Sequence, residues 1–154
     1  FETLGAGDVE TFIASGNVIF SFRAGSAGAL EAKIEKHLLK SLGYEVSTFV
    51  RTDEELAAII RHTPFTPSQI ASAMALNVGF LSAPLEKQAT SALMALKTGI
   101  DDFHVHGREV YWRCTKKQSE STFSNAVFER KLKTTVTFRG ANTVARLAAK
   151  YGIS

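Results

Sequence analysis

The sequence predicts an α+β fold made of two tandem ferredoxin-like units, each a split β-α-β arrangement, with the first unit incomplete at its N-terminus. Three observations carry this reading. Residues 74–154 run β-α-β-β-α-β and then a helix, residues 1–63 run helix tail, β-β-α-β and a helix, and a Pro- and Ser-bearing stretch at 64–73 reads as the linker between them. The chain has 154 residues, 45% hydrophobic and 21% charged, enough for two small cores. No apolar run approaches the ~20 residues of a membrane-spanning helix.

In the first unit, residues 1–4 read as a last helical turn stopped by Gly5 and Gly7. Residues 9–14 and 18–22 are β-branched apolar runs joined at Ser15-Gly16-Asn17, a hairpin signal. A three-residue loop would pair Phe12 with Phe20, and a two-residue loop would pair Ile13 with Phe20. Residues 29–42 repeat Leu30, Ile34, Leu38 and Leu42 every four positions, an amphipathic helix with Ser26 as N-cap and Gly43 as terminator. Residues 45–50 read as a strand. Thr52-Asp53-Glu54-Glu55 is a capping box, opening a helix with Leu56, Ile59 and Ile60 that must end before Pro64.

The second unit begins with a strand at 75–81, then a helix with Ala89, Leu93 and Leu96 on one face and Gly99 beyond it. Residues 103–105 and 110–112 form a hairpin about Gly107-Arg108. That turn sets His106 opposite Glu109, Val105 opposite Val110, His104 opposite Tyr111, Phe103 opposite Trp112 and Asp102 opposite Arg113. Polar pairs then fall on one face and apolar pairs on the other. A helix follows at 123–132 with Phe123, Val127 and Phe128 inward, then a strand at 134–138. Asn142 is placed to cap a last helix, 143–151, bearing Val144, Leu147 and Ala148.

A split β-α-β unit keeps its first strand in the middle of its sheet. Without that strand, residues 18–22 and 45–50 lose a shared neighbour, so the sequence predicts a chain incomplete relative to its natural form; otherwise another segment, or a second copy in a homodimer, must fill the gap. Charge is uneven. Residues 107–154 carry ten basic against three acidic side chains, net +7, and the rest of the chain is net −4. This is either a solvated bipolar surface or a C-terminal half that attracts phosphate or nucleic acid. The single cysteine, Cys114, excludes an intramolecular disulfide and fits a reducing, cytoplasmic setting.

Three stretches are similar to a known family. Residues 9–20, VETFIASGNVIF, resemble the V-x-T-Y-I-x-S-G-N-V-V-F segment of the bacterial family catalogued as domain of unknown function 1697. Gly107-Arg108-Glu109-Val110-Tyr111-Trp112 resembles its G-R-E-V-Y hairpin, and residues 137–144, TFRGANTV, its T-x-R-N-W-x-T-V segment. Two departures accompany the likeness: the family's opening R-G-I-N-V-G-G segment has no counterpart, and Gly140-Ala141 replace Asn-Trp. The resemblance implies an uncharacterised bacterial protein, with no transferable reaction and no cofactor.

Loop chemistry supplies the candidate sites, because a motif in a loop needs a reason beyond packing. Ser15, Gly16 and Asn17 either offer amides, a hydroxyl and a carboxamide to an anion or form a tight turn. Arg139, Asn142 and Thr143 place a guanidinium before a helix N-terminus, where exposed amides favour a negative group. The plainer alternative has Asn142 capping the helix and Arg139 pairing with a carboxylate. The expected ligand is a phosphate-bearing or other anionic small molecule, held where these segments converge. His104, Tyr111 and Arg113 are secondary candidates, forming an aromatic and basic sheet platform for single-stranded nucleic acid. Asp102, His104 and His106 alternate on one strand face, but two imidazoles need a third ligand, so no metal site is expected. His37 and His62 read as surface residues. No nucleophile elbow, phosphate-cradling loop or dinucleotide fingerprint occurs, so no catalytic constellation is recognisable.

Overall fold

The computed structural model of the chain describes residues 7–12, 17–21, 27–44 and 47–153. It divides into two compact units, Phe1–Val50 and Arg51–Ser154, so the boundary falls between Val50 and Arg51 and not within 64–73. The residues after Val50 group with the second unit because their side chains reach its sheet, as described below.

In the first unit, β1 (Gly7–Phe12) and β2 (Asn17–Ser21) pair antiparallel. Phe12 lies opposite Asn17 and Thr11 opposite Val18, with an irregularity between Gly7 and Glu10. Both expected registers are therefore displaced, because Asn17 starts a strand and is not part of a two- or three-residue loop. The predicted tail at 1–4, Ser15, Gly16 and the Ser26 cap lie outside the described residues.

Helix α1 (Ala27–Leu42) buries Ile34 fully, half-buries Leu30 and Leu38, and leaves Leu42 exposed. Gly43 ends it at φ +81°, with its amide donating to the Leu39 carbonyl at 2.9 Å.

The strand expected at 45–50 is absent over 47–50. Its alternate amides find side chains instead: Thr48 N–H donates to Glu35 Oε2 and Val50 N–H to Glu31 Oε2, each at 2.7 Å. The spacings match, since four residues of helix rise about 6 Å and two extended residues about 6.6 Å. These charge-assisted bonds also offset the cost of burying Glu31, which is 4% exposed.

The second unit opens with α2 (Asp53–Arg61), and its capping box is present in both directions: Glu55 N–H to Thr52 Oγ1 at 3.1 Å, and Thr52 N–H to Glu55 Oε1 at 3.0 Å. The expected linker contains a short helix, α3 (Pro67–Ala71), started by a second box between Thr66 and Gln69 with Pro67 in its first turn. Then come β3 (Ala75–Phe80), α4 (Lys87–Met94), β4 (Asp101–His106), β5 (Glu109–Cys114), α5 (Asn125–Leu132), β6 (Thr137–Gly140) and α6 (Ala141–Lys150). The four strands form an antiparallel sheet in the order β4-β5-β3-β6. The β4–β5 register is the expected one, from His106↔Glu109 to Asp102↔Arg113, with Gly107 at φ +56° in the turn.

Helices cover both faces of this sheet. On one face, Leu81, Leu93, Phe103, Val110, Trp112, Phe123, Phe128 and Leu132 form the larger apolar core with residues of α4 and α5. The approach is close at Gly79, where a Cβ would come 2.6 Å from the Phe138 ring. Asp101, 3% exposed, sits at the edge of this core and accepts from Trp112 Nε1 (2.9 Å), Thr98 Oγ1 (2.9 Å) and Ser121 Oγ (2.8 Å). On the other face, Ile59 of α2 and Val144 of α6 pack with Val78 and Tyr111.

Candidate functional site

The expected anion site begins at Arg139 on β6. Its guanidinium is half-buried and donates to Thr137 Oγ1 at 2.7 Å and to the Phe138 carbonyl at 3.0 Å, and burial draws its pKa below the usual range. Helix α6 starts one residue after Gly140, which takes the extended N-cap conformation and supplies no side-chain bond. Asn142 is therefore not the cap: it lies inside the first turn, one residue before Thr143. Glycine at that position costs only a few tenths of a kcal/mol against Asn or Ser. Of the other candidates, Asn17 is the first residue of β2 in the first unit, while Ser15 and Gly16 lie outside the described residues.

The expected nucleic-acid platform is covered. Tyr111 is 6% exposed beneath α2, with its hydroxyl 3.5 Å from the Ile59 carbonyl, and burial raises its pKa. Arg113 is committed to the segment around α3, donating to the Gln69 carbonyl and to Ser72 Oγ at 2.8 Å each. A base cannot stack on a ring already covered by Ile59, so this face is not an open sheet.

The same face gathers histidines. His62, at the C-terminal end of α2, lies with its ring 4.1 Å from that of His106 and within 15° of parallel, and 5.2 Å from that of His104. It is not the solvent-facing residue that its helical position suggested. It follows Ile59 by three residues, which continues the apolar stripe Leu56–Ile59 toward the sheet. Its Nε2 is buried with no hydrogen-bond partner. Burial first, then His106 and His104, draws the His62 pKa below the ordinary imidazole value; burial and His106 do the same to His104, opposed by Asp102. The His62 and His106 rings are stacked and the His104 ring is tilted to His62, and among the described residues no group of three His, Cys, Asp or Glu is arranged to hold a metal ion.

Beside His106 lies a cleft of about 260 Å³, lined by Glu55, Ala58, Ile59, Arg108 and Glu109. Its walls are fixed by ion pairs. Arg51, whose side chain is 6% exposed, donates Nε to Glu109 Oε2 at 2.9 Å and NH2 to the carbonyls of Leu81 (2.7 Å) and Arg108 (2.8 Å). Arg108 pairs with Glu55. Burial pushes the Glu55 carboxyl up, but the Thr52 amide and Arg108 together outweigh it and hold its pKa below the usual value. Sequence reasoning missed this network because its partners stand 53 and 58 residues apart. Cys114 is fully buried, and that burial raises its thiol pKa, so the basic residues near it in sequence do not make it a nucleophile.

The family described as "Protein of unknown function (DUF1697)" matches residues 1–111. The chain belongs to this family. The match spans the Val9–Phe20 stretch and runs into β5 as far as Tyr111; the Thr137–Val144 stretch lies beyond it. No curated protein matches the sequence. Among solved structures, the conserved bacterial protein SP0830 from Streptococcus pneumoniae is similar, with 18% identity and a TM-score of 0.74 over 96% of this chain and 82% of that one. At that identity the likeness is one of fold. The DUF1697 chain is thus an α+β protein, and among its described residues no helix is long and apolar enough to cross a membrane.

Proposed function

We propose that this DUF1697 chain binds a small anion, a phosphate-bearing metabolite or an equivalent anionic molecule, at the start of α6. One observation carries the reading: the N-cap of α6, Gly140, supplies no side-chain bond, and the cationic Arg139 directly precedes it. The amides of a helix N-terminus and the helix dipole favour a negative group at such a place, and a neighbouring guanidinium adds positive charge. Asn142 and Thr143, in the first turn, supply further polar atoms. The cellular setting is the cytoplasm, in line with the lone reduced cysteine, and no reaction is assigned.

The fold reading goes with it. Residues 75–140 are a ferredoxin-like module, supported by the β-α-β-β-α-β order with β3 between β5 and β6. The first unit is its partial counterpart.

Calorimetric titration of the full chain with inorganic phosphate and with a nucleoside phosphate tests the site. The expected result is binding at low salt that weakens about tenfold or more in Arg139→Gln, the scale of one charged hydrogen bond. Binding indifferent to Arg139→Gln, or none at low salt, overturns it.

A further inference from the structure

The histidine cluster stands apart from the proposed anion site and carries an inference of its own. His62 comes from the end of α2, and His104 and His106 come from β4, the strand that α2 approaches. Two imidazoles, those of His106 and His104, lie at ring-to-ring distances of 4.1 and 5.2 Å from His62, and the Tyr111 ring is also 5.2 Å away. The His62 Nε2 has no acceptor to receive a proton's hydrogen bond. We propose that His62, His104 and His106 form a proton-operated latch: neutral, the stacked rings hold the end of α2 on the sheet; protonated, they release it.

The surrounding charges compensate the trio only in part: Asp102 acts on His104, and Glu109 lies across from His106. On β4, Asp102 faces His104 but is held by Lys97 at 3.0 Å. On β5, Glu109 is paired with Arg51, Arg113 is tied to Gln69 and Ser72, and Tyr111 is an un-ionised phenol. On α2, Glu55 is paired with Arg108, and Arg61 adds a positive charge next to His62 in sequence. Among the described residues, the charges that act on His62 are those of His104 and His106, so a second proton in the cluster meets a like charge at close range. The depressed pKa values of His62 and His104 agree with this geometry.

Release has a defined consequence. Helix α2 covers Tyr111 and Val78 through Ile59, with Leu56 and Ile60 packed alongside. Loosening its end would bare the aromatic side of the sheet and widen the cleft beside His106. The latch therefore couples acidification to exposure of a surface that is closed at neutral pH.

The test combines histidine ring NMR with amide hydrogen exchange of residues 53–62 in the full chain at pH 7.5 and 5.5, corrected for intrinsic rates. The expected result is a His62 midpoint below the ordinary value of about 6.5, and α2 exchange that accelerates by up to about tenfold for each unit of that depression, while α5 amides stay unchanged. In His62→Phe, which keeps a stacked ring but takes no proton, the acid response is lost. Should that variant fold poorly, His106→Gln at an exposed position serves instead and raises the His62 midpoint. A His62 midpoint at or above the ordinary value, an acid response undiminished in His62→Phe, or a midpoint unmoved by His106→Gln refutes the latch.

Discussion

The two faces of the four-stranded sheet differ in whether every buried polar side-chain atom is partnered. Toward α4 and α5, the one deeply buried carboxylate, Asp101, is satisfied by an indole, two hydroxyls and its place beside an apolar core. Toward α2, a buried imidazole nitrogen has no partner and the neighbouring rings compete for protons. A fully satisfied network fixes a structure, whereas an unsatisfied one leaves room for a second state. The contrast separates scaffold from candidate function without reference to any ligand.

Four measurements break or sharpen that contrast. The largest effect is expected on the scaffold face: Phe128→Ala removes a fully buried ring and should cost about 4 kcal/mol in urea denaturation. On the opposite face, Arg51→Met leaves Glu109 buried without its partner and should cost about 3 kcal/mol, with the cleft beside His106 losing its fixed wall. Asp101→Asn keeps the shape but replaces one acceptor oxygen by a donor, and should cost about 2 kcal/mol, read by denaturation and by a changed Trp112 fluorescence.

The smallest effect is the dependence on pH. The folded pKa values of His62 and His104 lie below the unfolded value, so the unfolded chain takes up protons first. Stability is then full above about pH 6.5 and falls as pH drops through that value toward the folded pKa values. Glu55, depressed from 4.5, adds a loss only at lower pH, so denaturation midpoints compared between pH 7.5 and 5.5 isolate the histidines. A wild-type midpoint that does not decline over that interval contradicts the polar-face account.

Much of the scaffold was legible in the sequence because its signals are local. The Gly107-Arg108 turn and alternating side chains determined the β4–β5 register, and Thr52 with Glu55 announced the start of α2. The α3 helix was equally announced by Thr66 and Gln69, but Pro64, Pro67 and Ser68 around them carried the composition of a linker. Residues 47–50 show where local signals stop: alternation is real there, yet the amides at Thr48 and Val50 are taken by helix carboxylates that no pattern in the segment reveals. The site was least legible. Arg51 with Glu109, and His62 with His106, are contacts made across the fold, and a chain read residue by residue holds no record of them.

The carboxylates of Glu31 and Glu35 have one more effect. An extended segment with vacant N–H groups is an invitation to polymerise, since any passing chain can lay its carbonyls along it. Here the two donors are occupied at 2.7 Å by groups that carry negative charge, which also repel an incoming row of carbonyl oxygens. The two glutamates thereby close the Thr48 and Val50 amides to a further strand.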